Sequence, residues 1–122
     1  MAYEVYQRSN FRTEEPALSL VPDGRIALNV AATRRMAEAG VKSVLLLWDS
    51  QKRKIAIRAA PLGDKNAYVV SYAGHNRATL AAKSFFAYVG WKSGKRQKVR
   101  AAWDPKLRML EASLPIDMLD SK

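Results

Sequence analysis

The feature that most constrains the fold of this 122-residue chain is an internal repeat. The pairs Trp48-Asp49 and Trp103-Asp104 lie 55 residues apart, and Leu28 and Leu80 lie 52 residues apart. The second copy therefore carries about three extra residues, which fall in the loop at 91–95. Self-similarity at this spacing is typical of a duplicated supersecondary unit.

The first copy reads as two short strands, a helix and a hairpin. Residues 17–21 and 25–28 are predicted strands, separated by the turn Pro22-Asp23-Gly24. Asn29 is a typical helix N-cap, and the alanine-rich stretch 30–39 stops at Gly40, which predicts a helix between them. Strands at 41–48 and 53–58, joined by a polar turn, complete the unit.

The second copy has the same order. Strands are predicted at 67–72 and 77–80, a helix at 81–89, and a final hairpin from 96–103 and 107–114. In this helix Phe85, Tyr88 and Val89 have the spacing i, i+3, i+4, which predicts that all three face the core.

One such unit cannot bury its apolar face alone, whereas two units can close on each other into a small barrel without free sheet edges. The predicted fold class is therefore α+β and β-rich, a small barrel built from two βαββ repeats. The predicted organisation is a flexible arm at 1–16, repeats at 17–61 and 62–115 that form one compact domain, and a tail at 116–122.

The charge balance favours a polyanionic partner. Twenty-one Lys and Arg face eleven Asp and Glu, giving a formal charge of +10. Such an excess attracts nucleic acid at long range, and no basic amphipathic helix suggests a membrane instead. The chain has no cysteine, no apolar run that could span a bilayer and no signal-peptide pattern, so a cytoplasmic location is expected.

Catalytic patterns are missing from the sequence. The single histidine, His75, falls in a predicted turn, the carboxylates are scattered, and there is no glycine-rich phosphate loop. We therefore expect a protein that is not an enzyme and that uses neither a metal nor a cofactor.

The most basic stretch runs from 77 to 108 and contains one acid, Asp104. Within it Arg96, Lys98 and Arg100 alternate with other residues, which places all three on one face of a strand; we call them the basic stripe. Like charges so arranged cost stability unless an anion lies over them, although a solvated outer face is the alternative interpretation. The loop at 91–95 adds cations that are predicted to be flexible. Predicted nucleic-acid-binding residues of this copy are Arg77, Lys83, Lys92, Lys95, Arg96, Lys98 and Arg100.

The first copy resembles a known family. The run Asp23-Gly24-Arg25-Ile26, the basic pair Arg34-Arg35 on the helix and the following Ala39-Gly40-Val41 are similar to the swapped-hairpin AbrB family. That family includes bacterial transition-state regulators, MazE-type antitoxins and the tandem-repeat regulator MraZ. The resemblance implies a barrel of two swapped hairpins, DNA as the partner, and Arg25, Arg34 and Arg35 as contacts.

The resemblance covers residues 17–59 well and 67–114 weakly. Asn29 stands where the family commonly has proline, and Asn76-Arg77 replaces the Gly-Arg pair in the second copy. These departures weaken the transfer of individual contacts. With two copies in one chain a folded monomer is possible, and higher assembly is optional.

Two other functions remain open from the sequence. Binding of RNA or single-stranded nucleic acid would need exposed aromatic side chains near the cations. Trp48 and Trp103 sit at strand ends, which favours core packing, whereas Trp91 lies beside the basic loop and is the exception. A protein-interaction module that docks an acidic partner is the third hypothesis.

Overall fold

The computed structural model describes residues 15–61, 63–74, 76–115 and 119. Most of the predicted arm and tail, and the turn residue His75, lie outside the described residues. The elements follow in the order β1 (Ala17–Val21), β2 (Arg25–Leu28), α1 (Val30–Glu38), β3 (Ser43–Asp49), β4 (Lys54–Ala59), β5 (Tyr68–Val69), β6 (Ser71–Ala73), β7 (Arg77–Ala81), α2 (Lys83–Val89), β8 (Gln97–Asp104) and β9 (Met109–Ser113).

The described strands form a single antiparallel sheet in the order β5-β3-β4-β9-β8-β1-β2-β7-β6. The two outermost strands, β5 and β6, are consecutive in the chain and are separated only by Val70. The Val70 N–H donates to the Lys42 carbonyl at 3.0 Å, so the sheet curls almost completely onto itself. The predicted β-rich α+β class is thereby confirmed as a nearly closed barrel with two helices.

The core follows from the alternation of apolar residues along the strands. Leu18 and Leu20 of β1 and Ile26 and Leu28 of β2 are all buried, and the intervening side chains point outward. Residues from both halves of the chain meet in the same cluster, as Ile57 and Leu110 do. Each buried side chain of this size stabilises the fold by about 1.5–3 kcal/mol.

Helix α1 is fixed at its start by Asn29. The Ala32 N–H donates to Asn29 Oδ1 at 2.9 Å, as expected of an N-cap, and the Ala17 N–H donates to the same oxygen at 3.0 Å. The Asn29 Nδ2 donates to the Glu15 carbonyl at 2.9 Å. One side chain thus joins the start of α1 to the start of β1.

Helix α2 is placed by Gly24 instead. It has no side-chain cap, and the Ala82 N–H donates to the Gly24 carbonyl at 2.7 Å. Gly24 has φ +100°, and a Cβ at this position would lie 2.5 Å from the Lys83 Cβ. Only glycine satisfies both the backbone conformation and this close approach.

Strands of each half pair with strands of the other half. β1 pairs with β8, β3 pairs with β5, β2 pairs with β7, and β4 pairs with β9. The β2–β7 ladder contains the pair Ala27–Thr79, whose members are 52 residues apart, and the β4–β9 ladder contains Ala56–Glu111, which are 55 apart. These are the same two spacings that relate the copies in the sequence.

The two long hairpins also match in register and in their turns. Leu46 pairs with Ile57 in β3–β4, and Ala101 pairs with Ala112 in β8–β9, each residue 55 positions later. Asp49 Oδ1 accepts from the N–H groups two and three residues on, and Asp104 Oδ1 does the same. The turns end at Arg53 and Arg108, with φ of 54° and 50°.

Three local expectations are wrong. The predicted strand at 67–72 is two strands, because the chain leaves β3 and joins β7 at the buried Val70. Tyr88 is 76% exposed and Phe86 is buried in its place, because Phe86 packs edge-on against Trp91 with ring centroids 6.4 Å apart. Trp91 itself is buried, so it is no exposed stacking platform.

Candidate nucleic-acid interface

Strands β8, β1, β2 and β7 are neighbours in the sheet and share one outer face. Lys98 lies opposite Ser19, Ser19 opposite Ala27, and Ala27 opposite Thr79, so these side chains form one row across four strands. The chain neighbours of Ser19, Ala27 and Thr79 are buried, as is Val99 beside Lys98, so the row faces solvent. The middle of the face therefore consists of small side chains, two of which carry hydroxyl groups.

Cations surround the small side chains in the middle of the face, Ser19, Ala27 and Thr79, which we call the floor. Lys98 and Arg100 project from β8, and Arg96 directly precedes that strand. Arg25 lies two residues before Ala27 on β2, and Arg77 lies two residues before Thr79 on the antiparallel β7. Their Cα atoms are consequently about 14 Å apart, at opposite ends of the face.

An open groove of about 620 Å³ lies over the face. Four of the predicted binding residues line it together: Arg25, Arg77, Arg96 and Lys98. The other lining residues are Ser19, Ala27, Leu28, Asn29, Val30, Asn76, Ala78 and Thr79. None of these described lining residues is acidic and none is aromatic.

Two ion pairs touch the margin of the groove. Arg25 Nε lies 2.8 Å from Asp23 Oδ2, and the Arg25 N–H donates to Asp23 Oδ1 at 3.2 Å. Arg100 Nε lies 3.8 Å from a carboxylate oxygen of Glu15, with both side chains highly exposed. Exposed pairs of this kind contribute at most about 1 kcal/mol. The Asp23 carboxylate orients the Arg25 side chain through its Nε, and its bond from the Arg25 backbone N–H holds the turn itself.

The basic loop between α2 and β8 is hydrogen-bonded to itself and to the strand. Ser93 Oγ donates to the Lys95 carbonyl at 2.9 Å and accepts from the Lys95 N–H at 3.2 Å. It also lies 3.3 Å from Gln97 Nε2, which donates to it. This network links the segment that carries the exposed Lys95 and Arg96 to Gln97 at the start of β8.

The remaining predicted residues are exposed but lie outside the lining of the groove. Lys83 starts α2 beside Gly24 and is therefore next to the turn that carries Arg25. Arg34 follows the groove residue Val30 by one helical turn and shares its face. This group consists of Arg34, Arg35, Lys83, Lys92, Lys95 and Arg100.

Sequence reasoning missed the neutral residues of the site. Ser19, Ala27 and Thr79 form the floor, and Asn29 and Asn76 stand at its edge. The alternation in 17–21 and 25–28 marks the outward positions, and their small size was a detectable signal. Only the pairing of β1 with β8 and of β2 with β7, however, brings them beside the cations.

Within the described residues, neither helix has the length and apolar character needed to cross a bilayer. Comparison of the chain with family models, with curated proteins and with solved structures finds no match.

Proposed function

We propose that this protein binds duplex DNA through the basic groove, as a bacterial transcriptional regulator or antitoxin-like factor. The observation that carries the proposal is the distribution of charge on the outer face of β8, β1, β2 and β7. Five exposed cations, Arg25, Arg77, Arg96, Lys98 and Arg100, surround a floor of small side chains. Such a floor lets a phosphate backbone approach closely, and the Ser19 and Thr79 hydroxyls can donate to it.

The neutral part of the groove favours a duplex over a single strand. Single strands are held by bases that stack on aromatic side chains, and the described lining of the groove has none. The most exposed described tyrosine, Tyr88, lines a different groove together with Leu46 and Leu47. The basic face therefore has the features of a backbone-binding surface.

We also propose that the barrel consists of two swapped-hairpin repeats, 17–61 and 62–115, related by an approximate twofold axis. The matched pairings support this, because β2–β7 and β4–β9 each pair a strand with its counterpart. The matched turns at Asp49 and Asp104 support it independently. Two copies in one chain complete the barrel internally, so a folded monomer suffices.

The cations have two roles in this proposal. The basic stripe binds phosphates, since its three side chains follow one strand. Arg25 reaches base edges, because Asp23 orients it and a guanidinium can bind guanine with two parallel hydrogen bonds. Arg34 and Arg35 on α1 extend the contacts at the end where Val30 lines the groove.

The test is the salt dependence of binding to a mixed-sequence duplex. The variant R96Q/K98Q/R100Q removes three phosphate contacts and is expected to reduce the magnitude of the negative slope of log affinity against log salt by about 2.7. The control K52Q/K65Q/K106Q removes the same charge from exposed turns outside the groove and should change the slope much less. Equal slopes in the stripe variant and the wild type would show that the stripe is a solvated face.

A further inference from the structure

Strands β8 and β3, which occupy corresponding positions in the two halves of the chain, carry very different side chains. Strand β8 presents Lys98 and Arg100, with Arg96 just before it. The matched register of the two hairpins places Ser43 and Leu45 of β3 at the corresponding positions, 55 residues earlier. Both residues of β3 are uncharged and half-buried. The scaffold is nearly symmetric, whereas the row of cations on β8 has no counterpart on β3; the neighbouring strand β4 carries the exposed Arg58 opposite Leu45.

The surroundings of the two strands extend this difference. The loop before β8 adds the exposed Lys92 and Lys95, and it is longer than the corresponding connection before β3. Beyond Leu45, the β3 side carries an apolar groove formed by Leu46, Leu47, Trp48, Tyr68, Ser84, Phe85 and Tyr88. The β8 side of the barrel is thus the more cationic, and the β3 side combines an apolar groove with the exposed Arg58.

We infer that a bound duplex meets the barrel from the β8 side only, with one phosphate backbone along the basic stripe, so that the binding site is not palindromic. This inference rests on the proposed function. Successive stripe residues are about 7 Å apart along the strand, which is close to the spacing of neighbouring phosphates. A duplex centred between β2 and β7 would instead place its second backbone against Ser43 and Leu45, where Arg58, opposite Leu45 on β4, supplies one cation in place of the three of the basic stripe.

The experiment exchanges the corresponding residues and measures salt slopes on one mixed-sequence duplex. K98S/R100L removes the charge from β8, and S43K/L45R adds the same charge to β3. The quadruple variant K98S/R100L/S43K/L45R has the composition and net charge of the wild type, so it separates the position of charge from its amount. Melting temperatures and far-ultraviolet circular dichroism check that each variant is folded, and K98Q/R100Q replaces K98S/R100L if R100L prevents folding.

One-sided binding predicts that K98S/R100L reduces the magnitude of the salt slope by about 1.8, that S43K/L45R leaves it unchanged, and that the quadruple variant keeps the reduced magnitude. An increase of about 1.8 in the magnitude of the slope in S43K/L45R, or a wild-type slope in the quadruple variant, would overturn the inference and leave DNA binding intact. A wild-type chain that binds duplex without salt dependence would overturn the proposed function, and this inference with it.

Discussion

The substitution Gly24→Ala tests how much the close contact between the turn before Arg25 and the start of α2 contributes to stability. In Gly24→Ala the new Cβ would lie 2.5 Å from the Lys83 Cβ and 2.8 Å from the Lys83 Cα, so the start of α2 has to move. The left-handed backbone at φ +100° adds roughly 1–2 kcal/mol, and overpacking of this kind costs about 1–3 kcal/mol more. The reduced entropy of the unfolded chain returns about 0.4–1 kcal/mol, which leaves a net loss of about 1–4.6 kcal/mol, centred near 3 kcal/mol.

Gly74→Ala is the matched control. Its φ is +70°, but nothing lies within 4 Å of the added Cβ, so only the backbone contribution remains. We expect a loss of about 1 kcal/mol or less in that variant. The measurement is urea unfolding, in which a difference of about 2 kcal/mol separates the two midpoints by roughly 1 M. If Gly24→Ala unfolded at the same urea concentration as Gly74→Ala, the contact between Gly24 and α2 would not contribute to stability.

The other predictions concern Asn29, Asp23 and Tyr72. Asn29→Ala should lower the free energy of unfolding by about 2 kcal/mol, whereas Asn29→Asp keeps the Oδ1 acceptor and should lose less by the same urea assay. Asp23→Asn should strengthen binding to a mixed-sequence duplex by removing a negative charge, and should weaken sequence preference by releasing Arg25; an unchanged preference in competition assays would exclude a positioning role. Burial raises the pKa of the Tyr72 phenol above its ordinary value of 10.0, so its ionisation is less favourable in the folded state and stability falls as pH rises above about 10. Tyr72→Phe should reduce that alkaline loss, as measured by urea midpoints at pH 9 and 11.

Local signals in the sequence are sufficient to locate most elements of this fold. Strands β1 and β2 occupy the predicted residues, because the turn at 22–24 and the alternation around it are both strong. Helix α1 begins after Asn29 as predicted, because that side chain caps it. Helix α2 begins two residues later than expected, since its first turn is set by the Gly24 carbonyl rather than by a local cap.

Which residues form the candidate site depends on contacts between elements, and the periodicity of the sequence does not predict those contacts. The exposure of Lys98 and Arg100 follows from alternation within one strand, but the proximity of Lys98 to Ser19 requires the pairing of β1 with β8. The burial of Trp91 likewise requires Phe86 to turn inward, against the i, i+3, i+4 pattern of its helix. In both cases the position of the side chain is determined by a residue on another element.

The pairing of each half with the other has a consequence for synthesis of the chain. Strand β1 pairs with β2, and β4 with β3, within the first half, but the other edge of β1 has to wait for β8 and that of β4 for β9. At about 5–20 residues per second, the ribosome needs roughly 3–11 s to add the 55 or so residues between β4 and β9. During that interval the nascent first half exposes unpaired strand edges and the apolar faces of Ile55 and Ile57. We therefore expect the nascent chain to be a substrate for ribosome-associated chaperones until its last hairpin has emerged.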